Sequence, residues 1–201
     1  MTGVSLGIPQ IESLTFYRVF VRTGFDTPKG GGHLMNDPIL SGKKILIVDD
    51  EQDVLETLME LLDTCLVDTA PNFETAEKFL RKNRYDAAIF DIMGVQGYDL
   101  LEISNQKNIP ALMFTAHALN PDDFVRSIEG GAKAYIPKER MSDIESYVAD
   151  LIRSQQEGEQ RNRRWFGKLK SFFDKQFGYD WREQRKEFWQ KYDWLDQEGD
   201  D

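Results

Sequence analysis

An acid pair, a single acid, a hydroxyl and a lysine close four successive apolar runs of this chain. KILIVDD, residues 44–50, ends in Asp49 and Asp50; YDAAIFD, residues 85–91, ends in Asp91; ALMFT, residues 111–115, ends in Thr115; AYIPK, residues 134–138, ends in Lys138. One acid at the end of an apolar run ordinarily caps a turn. Together these residues set three carboxylates against one ammonium, an imbalance that is costly to bury. Hard carboxylate oxygens are the donors that a divalent cation such as Mg²⁺ takes. A plain structural ion cluster is the alternative, and the surplus of negative charge favours a divalent-ion site over it.

Something must bring the ends of these runs together. Short apolar runs bounded by polar residues suit strands buried on both faces of a parallel sheet, where chemistry collects at the carboxyl edge. The intervening segments read as helices. Residues 52–64 carry Val54, Leu55, Leu58, Leu61 and Leu62 at helical spacing, and residues 73–81 carry Ala76, Phe79 and Leu80 on one face. Residues 65–69 make a short strand, with Cys65 as a small core residue. A glycine-bearing loop at 94–97 leads to a helix over 98–105, which Ile109-Pro110 breaks. Asn120 as cap, Pro121 in the first turn, and Asp122 and Asp123 at the positive end of the dipole start the next helix, which Gly130-Gly131 ends. Ser142 and Glu145 form a capping box for a last helix carrying Ile144, Val148, Leu151 and Ile152. The sum is an α/β, (βα)₅ doubly wound parallel sheet over residues 41–155.

Composition narrows the class. The 201 residues hold 25 basic and 35 acidic side chains, 25 − 35 = −10, which is not the basic footprint of a nucleic-acid binder. With Cys65 as the only cysteine, neither an internal disulfide nor a cysteine-based metal cluster forms. No apolar run reaches bilayer length, and no basic-then-apolar leader opens the sequence. The expectation is a cytoplasmic protein. His117, lacking a His or Cys partner nearby, reads as a loop residue and not as a phosphodonor or metal ligand.

In their order and spacing, residues 43–153 resemble the receiver domain of bacterial two-component response regulators. The resemblance implies the flavodoxin-like strand order 2-1-3-4-5, the order with which such receivers are illustrated. It makes Asp91 the phospho-acceptor, Asp49 and Asp50 the acid pair, Thr115 the switch hydroxyl, Tyr135 the switch aromatic and Lys138 the phosphoryl-binding lysine. Mg²⁺ would be held by Asp50 and Asp91, with Asp49 contributing directly or through water and Met93 through its backbone carbonyl. Two departures flank the site. The loop after Asp91 is short and lacks the family's Met-Pro, and Glu139 stands where a cis-proline usually follows the lysine. The Lys138-Glu139 bond is therefore expected to be trans or strained, because a non-proline cis bond costs about 3–4 kcal/mol.

The ends of the chain differ from its middle. Residues 1–40 form an N-terminal extension with one aromatic-apolar patch, LTFYRVFV. It reads either as an extra edge strand or docking segment, or as sequence upstream of a translation start at Met35, since Lys29-Gly30-Gly31 would be encoded by a ribosome-binding AAA-GGA-GGT. Residues 156–201 form an aromatic tail. In RNRRWFGKLKSFFDKQF the side chains of Trp165, Phe166, Leu169, Phe172, Phe173 and Phe177 share one helical stripe, and residues 179–195 read as a second amphipathic helix. This tail is too short and too acidic at its far end for a helix-turn-helix output module. Packing or self-association, docking of a partner through Trp165, Leu169, Phe172 and Phe173, and peripheral membrane contact all remain open readings, as does a homodimer.

The expected function is a response regulator of a two-component phosphorelay. A sensor histidine kinase or phosphotransfer protein would supply the phosphoryl group, and the signal would leave through contact with a downstream protein, with no nucleic acid bound. The alternatives are a degenerate receiver serving as a phosphorylation-independent scaffold, and a phosphatase with an aspartyl nucleophile. Such a phosphatase wants a second acid two residues after the nucleophile, where this chain has Met93.

Overall fold

The computed structural model describes residues 37–116, 120–158 and 162–196. The N-terminal patch, the Met35 start and His117 therefore lie outside the described residues. The described residues belong to one compact unit.

Five parallel strands, β1 (Lys44–Val48), β2 (Leu66–Ala70), β3 (Ala87–Asp91), β4 (Ala111–Thr115) and β5 (Ala134–Pro137), lie in the order β2-β1-β3-β4-β5. The inner strands β3 and β4 are buried at every position, as strands covered on both faces must be. Strand β2 has one neighbour only, and its residues remain half-exposed until Ala70. Helices α1 (Gln52–Leu61), α2 (Phe73–Lys82), α3 (Gly97–Gln106), α4 (Pro121–Glu129) and α5 (Ile144–Gln156) follow the strands in turn. The sheet and helices are the (βα)₅ arrangement that the apolar runs predict.

Local chemistry accounts for two of the helix starts. Asn72 caps α2 by accepting from the Thr75 N–H, and Asn120 caps α4 by accepting from the N–H groups of Asp122 and Asp123, with Pro121 in the first turn. The start of α5 differs from the capping-box expectation. Lys138–Asp143 forms a 3₁₀ segment, so Ser142 lies inside it, and Asp143 precedes the helix without a side-chain cap. The peptide bond between Lys138 and Glu139 is trans, since no peptide bond among the described residues is cis.

The tail folds onto this domain. Helix α6 (Arg164–Phe177) fulfils the first amphipathic expectation and stops at Gly178, whose φ of +88° no side-chain-bearing residue adopts easily. Beyond it the expected single helix over 179–195 is replaced by shorter pieces: a 3₁₀ turn Glu183–Arg185, the short helix α7 (Lys186–Lys191) and a second 3₁₀ turn Asp193–Leu195. The bends gather large rings around one side chain of α4. Phe124 has Trp165, Phe166, Phe173, Phe177, Trp181, Phe188 and Trp189 all within 6.3 Å, centroid to centroid. Trp165, Leu169 and Phe173 are buried and Phe172 is half-buried, so the docking residues expected on the tail face inward here.

Candidate functional site

The carboxyl edge of the sheet collects the four run ends. Asp49 follows β1 directly, and its Oδ1 accepts from the N–H of Glu51, where α1 begins. Asp91 is the last residue of β3, Thr115 the last of β4, and Lys138 the first after β5. The Lys138 ammonium reaches three acids: Asp49 at 2.7 Å, Glu51 at 2.9 Å and Asp91 at 3.2 Å. Asp49 and Asp91 are buried, whereas Glu51 is mostly exposed. Burial alone would pull the lysine down; hydrogen bonds to Asp49 and Glu51, with the charges of Asp91 and Asp49, outweigh it and hold Lys138 well above its ordinary value. The carboxyl of Asp91 is pushed up to about 6, first by burial and then by the charges of Asp49 and Asp50, against the lysine's opposing effect. Asp49 is raised as well, again chiefly by burial.

Asp50 approaches from the solvent side and is positioned by the short loop after β3. Gly94 has φ +63°, and a Cβ placed on it would lie 2.3 Å from Asp50 Oδ1, so the carboxylate rests directly on the glycine. A Cβ on Gly97 would lie 2.0 Å from the Asp91 carbonyl oxygen. These glycines let a loop without Met-Pro fold back tightly over the acceptor. Within it the Met93 carbonyl accepts from the Val95 N–H, leaving its second lone pair for other use.

Do these donors fit a divalent ion? Among the described residues no three acidic, His or Cys side chains already converge as a ligand set. The chemistry of the donors nonetheless fits. Asp49 and Asp50 both press negative charge on Asp91, one lysine answers them, and all the available atoms are hard oxygens.

Thr115 is fully buried, and its Oγ1 has no hydrogen-bond partner among the described residues. Leaving a buried hydroxyl unmet costs about 1–3 kcal/mol, which invites an explanation. Tyr135 pairs with Met113 across β4 and β5; Thr115, two residues further along β4, thus shares its face of the sheet. Tyr135 is fully buried, edge-on to Phe124 at 5.6 Å and 6.1 Å from Phe173 of the tail.

Sequence reasoning did not single out Glu51, Gly94, Gly97 or Phe124 for these roles. Glu51 had a signal, as the third acid of the Asp49-Asp50-Glu51 run. Phe124 had none, because its importance lies in what the tail brings to it.

A parallel sheet of this order, with an acid pair, a strand-end aspartate, a threonine and a lysine on its carboxyl edge, is a doubly wound α/β domain with its polar groups gathered where such sheets do their chemistry. Residues 45–149 match the response regulator receiver domain, and the chain belongs to that family, a component of two-component signalling. The chain is 31% identical over 120 residues to the two-component response regulator ARR10 of Arabidopsis thaliana, an overlap of 56% of this chain and 22% of that protein. It is 37% identical over 99 residues to the heme response regulator HssR of Staphylococcus aureus, covering 46% and 43%. The chain thus spans less than half the length of these curated relatives. Among solved structures, a CheY-like receiver domain protein from Methanospirillum hungatei JF-1 superposes with a TM-score of 0.54 at 26% identity, covering 59% of this chain and 99% of that one. A putative response regulator from Chloroflexus aurantiacus J-10-fl gives 0.51 at 30% identity over 56% and 98%. No helix among the described residues is long and apolar enough to cross a membrane.

Proposed function

We propose that the chain is a response regulator that accepts a phosphoryl group on Asp91 from a partner histidine kinase or phosphotransfer protein and passes the signal on through protein contact. The observation that carries this reading is the convergence of Lys138 on Asp91 and Asp49 beside an unpartnered Thr115 hydroxyl. Asp91 Oδ would attack the phosphorus of the donor, whose leaving group departs with the bonding pair, forming an acyl phosphate. Asp49, Asp50, Asp91 and the Met93 carbonyl would hold Mg²⁺, which lowers the repulsion between the two anions when bound. Lys138 offers a point charge to one phosphoryl oxygen, and Thr115 donates its hydroxyl to another.

The aspartyl-phosphatase alternative has no second acid at Met93, which is exposed and apolar. Incubating the full chain with Mg²⁺ and acetyl phosphate or phosphoramidate, then measuring intact mass, tests the reading. The expected result is one added phosphoryl group that maps to Asp91. A mass that never changes, with either donor, would leave the scaffold reading in its place.

A further inference from the structure

We infer that the C-terminal segment is an internal ligand of the face formed by α4, β5 and α5, seated while Asp91 is unmodified and loosened when Asp91 carries a phosphoryl group. This rests on the acceptor reading above. Three observations carry it: what the tail touches, what holds it, and what its docking leaves unsatisfied.

The tail touches an aromatic that shares a sheet face with the site's buried hydroxyl. Phe173 packs on Tyr135 and on Phe124, and Tyr135 shares a sheet face with Thr115. Among the described residues Thr115 has no hydrogen-bond partner while Asp91 is bare. A phosphoryl group on Asp91 supplies acceptor oxygens at the neighbouring strand end, and a threonine drawn toward them alters the space beside Tyr135. Interiors are close-packed, so a shift of Tyr135 is felt by the rings seated on it.

Packing around Phe124 holds the tail, with modest polar help. Lys168 of α6 donates to Asp150 and Ser146 of α5. Arg185 pairs with Asp122, and Lys191 with Glu129 of α4, but these acids are largely exposed, and such pairs contribute little. The tail thus straddles both helices that flank β5, and an amphipathic helix is the kind of ligand this face fits.

The docked state also carries a penalty that release would relieve. The indole N–H groups of Trp165 and Trp189, Nε of Arg182 and both amide atoms of Asn162 are buried without a hydrogen-bond partner among the described residues. Four such residues in one short segment are more than a purely structural appendage needs to leave unmet. Loosening of the tail's packing lets water reach these atoms. Favourable aromatic burial set against unmet polar groups is the balance expected of an element with two accessible states.

The test uses the full chain with Mg²⁺ and beryllofluoride as phosphoryl mimic. Fluorine-19 NMR reports occupancy of Asp91, and hydrogen exchange followed by mass spectrometry reports the tail. Exchange across Arg164–Phe177 is expected to rise about fivefold or more when the mimic binds, the lower end of ordinary coupling between sites. Coupling is reciprocal, so Lys168→Glu, which sets a carboxylate against Asp150 at a partly exposed position, should loosen the tail and tighten mimic binding by a similar factor. A bound fluorine signal with unchanged or slower tail exchange overturns the inference while sparing the acceptor reading. A loosened tail in K168E with unaltered mimic affinity overturns it too. No bound fluorine signal removes the acceptor reading and the inference with it.

Discussion

The Lys138 ammonium stands closer to Asp49, at 2.7 Å, than to Asp91, at 3.2 Å. The lysine therefore serves first as counter-ion to Asp49, next to Glu51 at 2.9 Å, and only then as partner of the proposed nucleophile. Removing it leaves two buried carboxylates with no cation. Lys138→Ala should destabilise the protein without Mg²⁺ by on the order of 3 kcal/mol, the scale of breaking a buried ion pair. Millimolar Mg²⁺ should recover much of that loss if the acids bind the ion. Chemical denaturation with and without Mg²⁺ checks both parts. The variant should still take up a phosphoryl group while losing the tail's response to it.

Asp91→Asn keeps the shape of the side chain and removes the nucleophile, because an amide does not attack phosphorus. It should abolish phosphoryl uptake from small donors while leaving the fold intact. It also removes one of the buried charges crowding Lys138, so stability should hold or rise slightly. A variant that still gains one phosphoryl group at position 91 would contradict the assignment.

The raised carboxyl of Asp91 makes the site sensitive to pH. Its folded value of about 6 lies above the ordinary 3.8, so the folded state holds this proton more tightly than the unfolded chain does. The contribution to stability is full below 3.8, falls as pH rises toward about 6, and is constant above that. Nucleophilic attack and cation binding both need the anion, so each should weaken as pH drops below about 6. The carbon-13 shift of the Asp91 carboxyl against pH measures this directly. Adding Mg²⁺ should move the midpoint down, and a midpoint indifferent to the ion would mean that the ion does not sit on Asp91.

The acid run, strand-end aspartate, threonine and lysine were legible in the sequence because each closes an apolar run, and a parallel sheet gathers such ends on one edge. The start of α5 was not, because Ser142 and Glu145 have the spacing of a capping box whether or not the backbone before them winds into a 3₁₀ turn. The tail was half legible. Helical spacing shows that Trp165, Leu169 and Phe173 share a face, but periodicity does not say what the face meets. That depends on Phe124, a residue more than forty positions away whose place on α4 looks like any other apolar position.

The two loop glycines should fail differently. At Gly94 the obstacle to a Cβ is the carboxylate of Asp50, the free end of a side chain that can turn away. Gly94→Ala should therefore cost about 1 kcal/mol of left-handed backbone strain while weakening Mg²⁺ binding more than stability. At Gly97 the obstacle is the Asp91 carbonyl, which no rotamer change relieves. Gly97→Ala should displace the backbone of the acceptor and cost more than about 2 kcal/mol, among the larger effects of a single substitution. Thermal unfolding and Mg²⁺ titration of the two variants separate the cases.

Phe124 joins the sheet domain to the tail, and its loss should show whether the two unfold together. The ring is fully buried between Tyr135 on one side and the tail's aromatics on the other. Phe124→Ala should cost about 3–5 kcal/mol, the scale of deleting a buried phenyl group. If the tail is part of one cooperative unit, the variant should keep a single denaturant transition at a lower midpoint. If the tail is held mainly by this ring, a first, shallow transition should separate from the main one. The four tryptophans of the chain, Trp165, Trp181, Trp189 and Trp194, all lie in the tail. Their fluorescence should therefore shift to the red in the first transition, while circular dichroism of the sheet domain follows the second. Given the exposed ion pairs and the unmet polar atoms of the docked segment, separation is the expected result. Coincident transitions by both probes would show the tail to be fixed core.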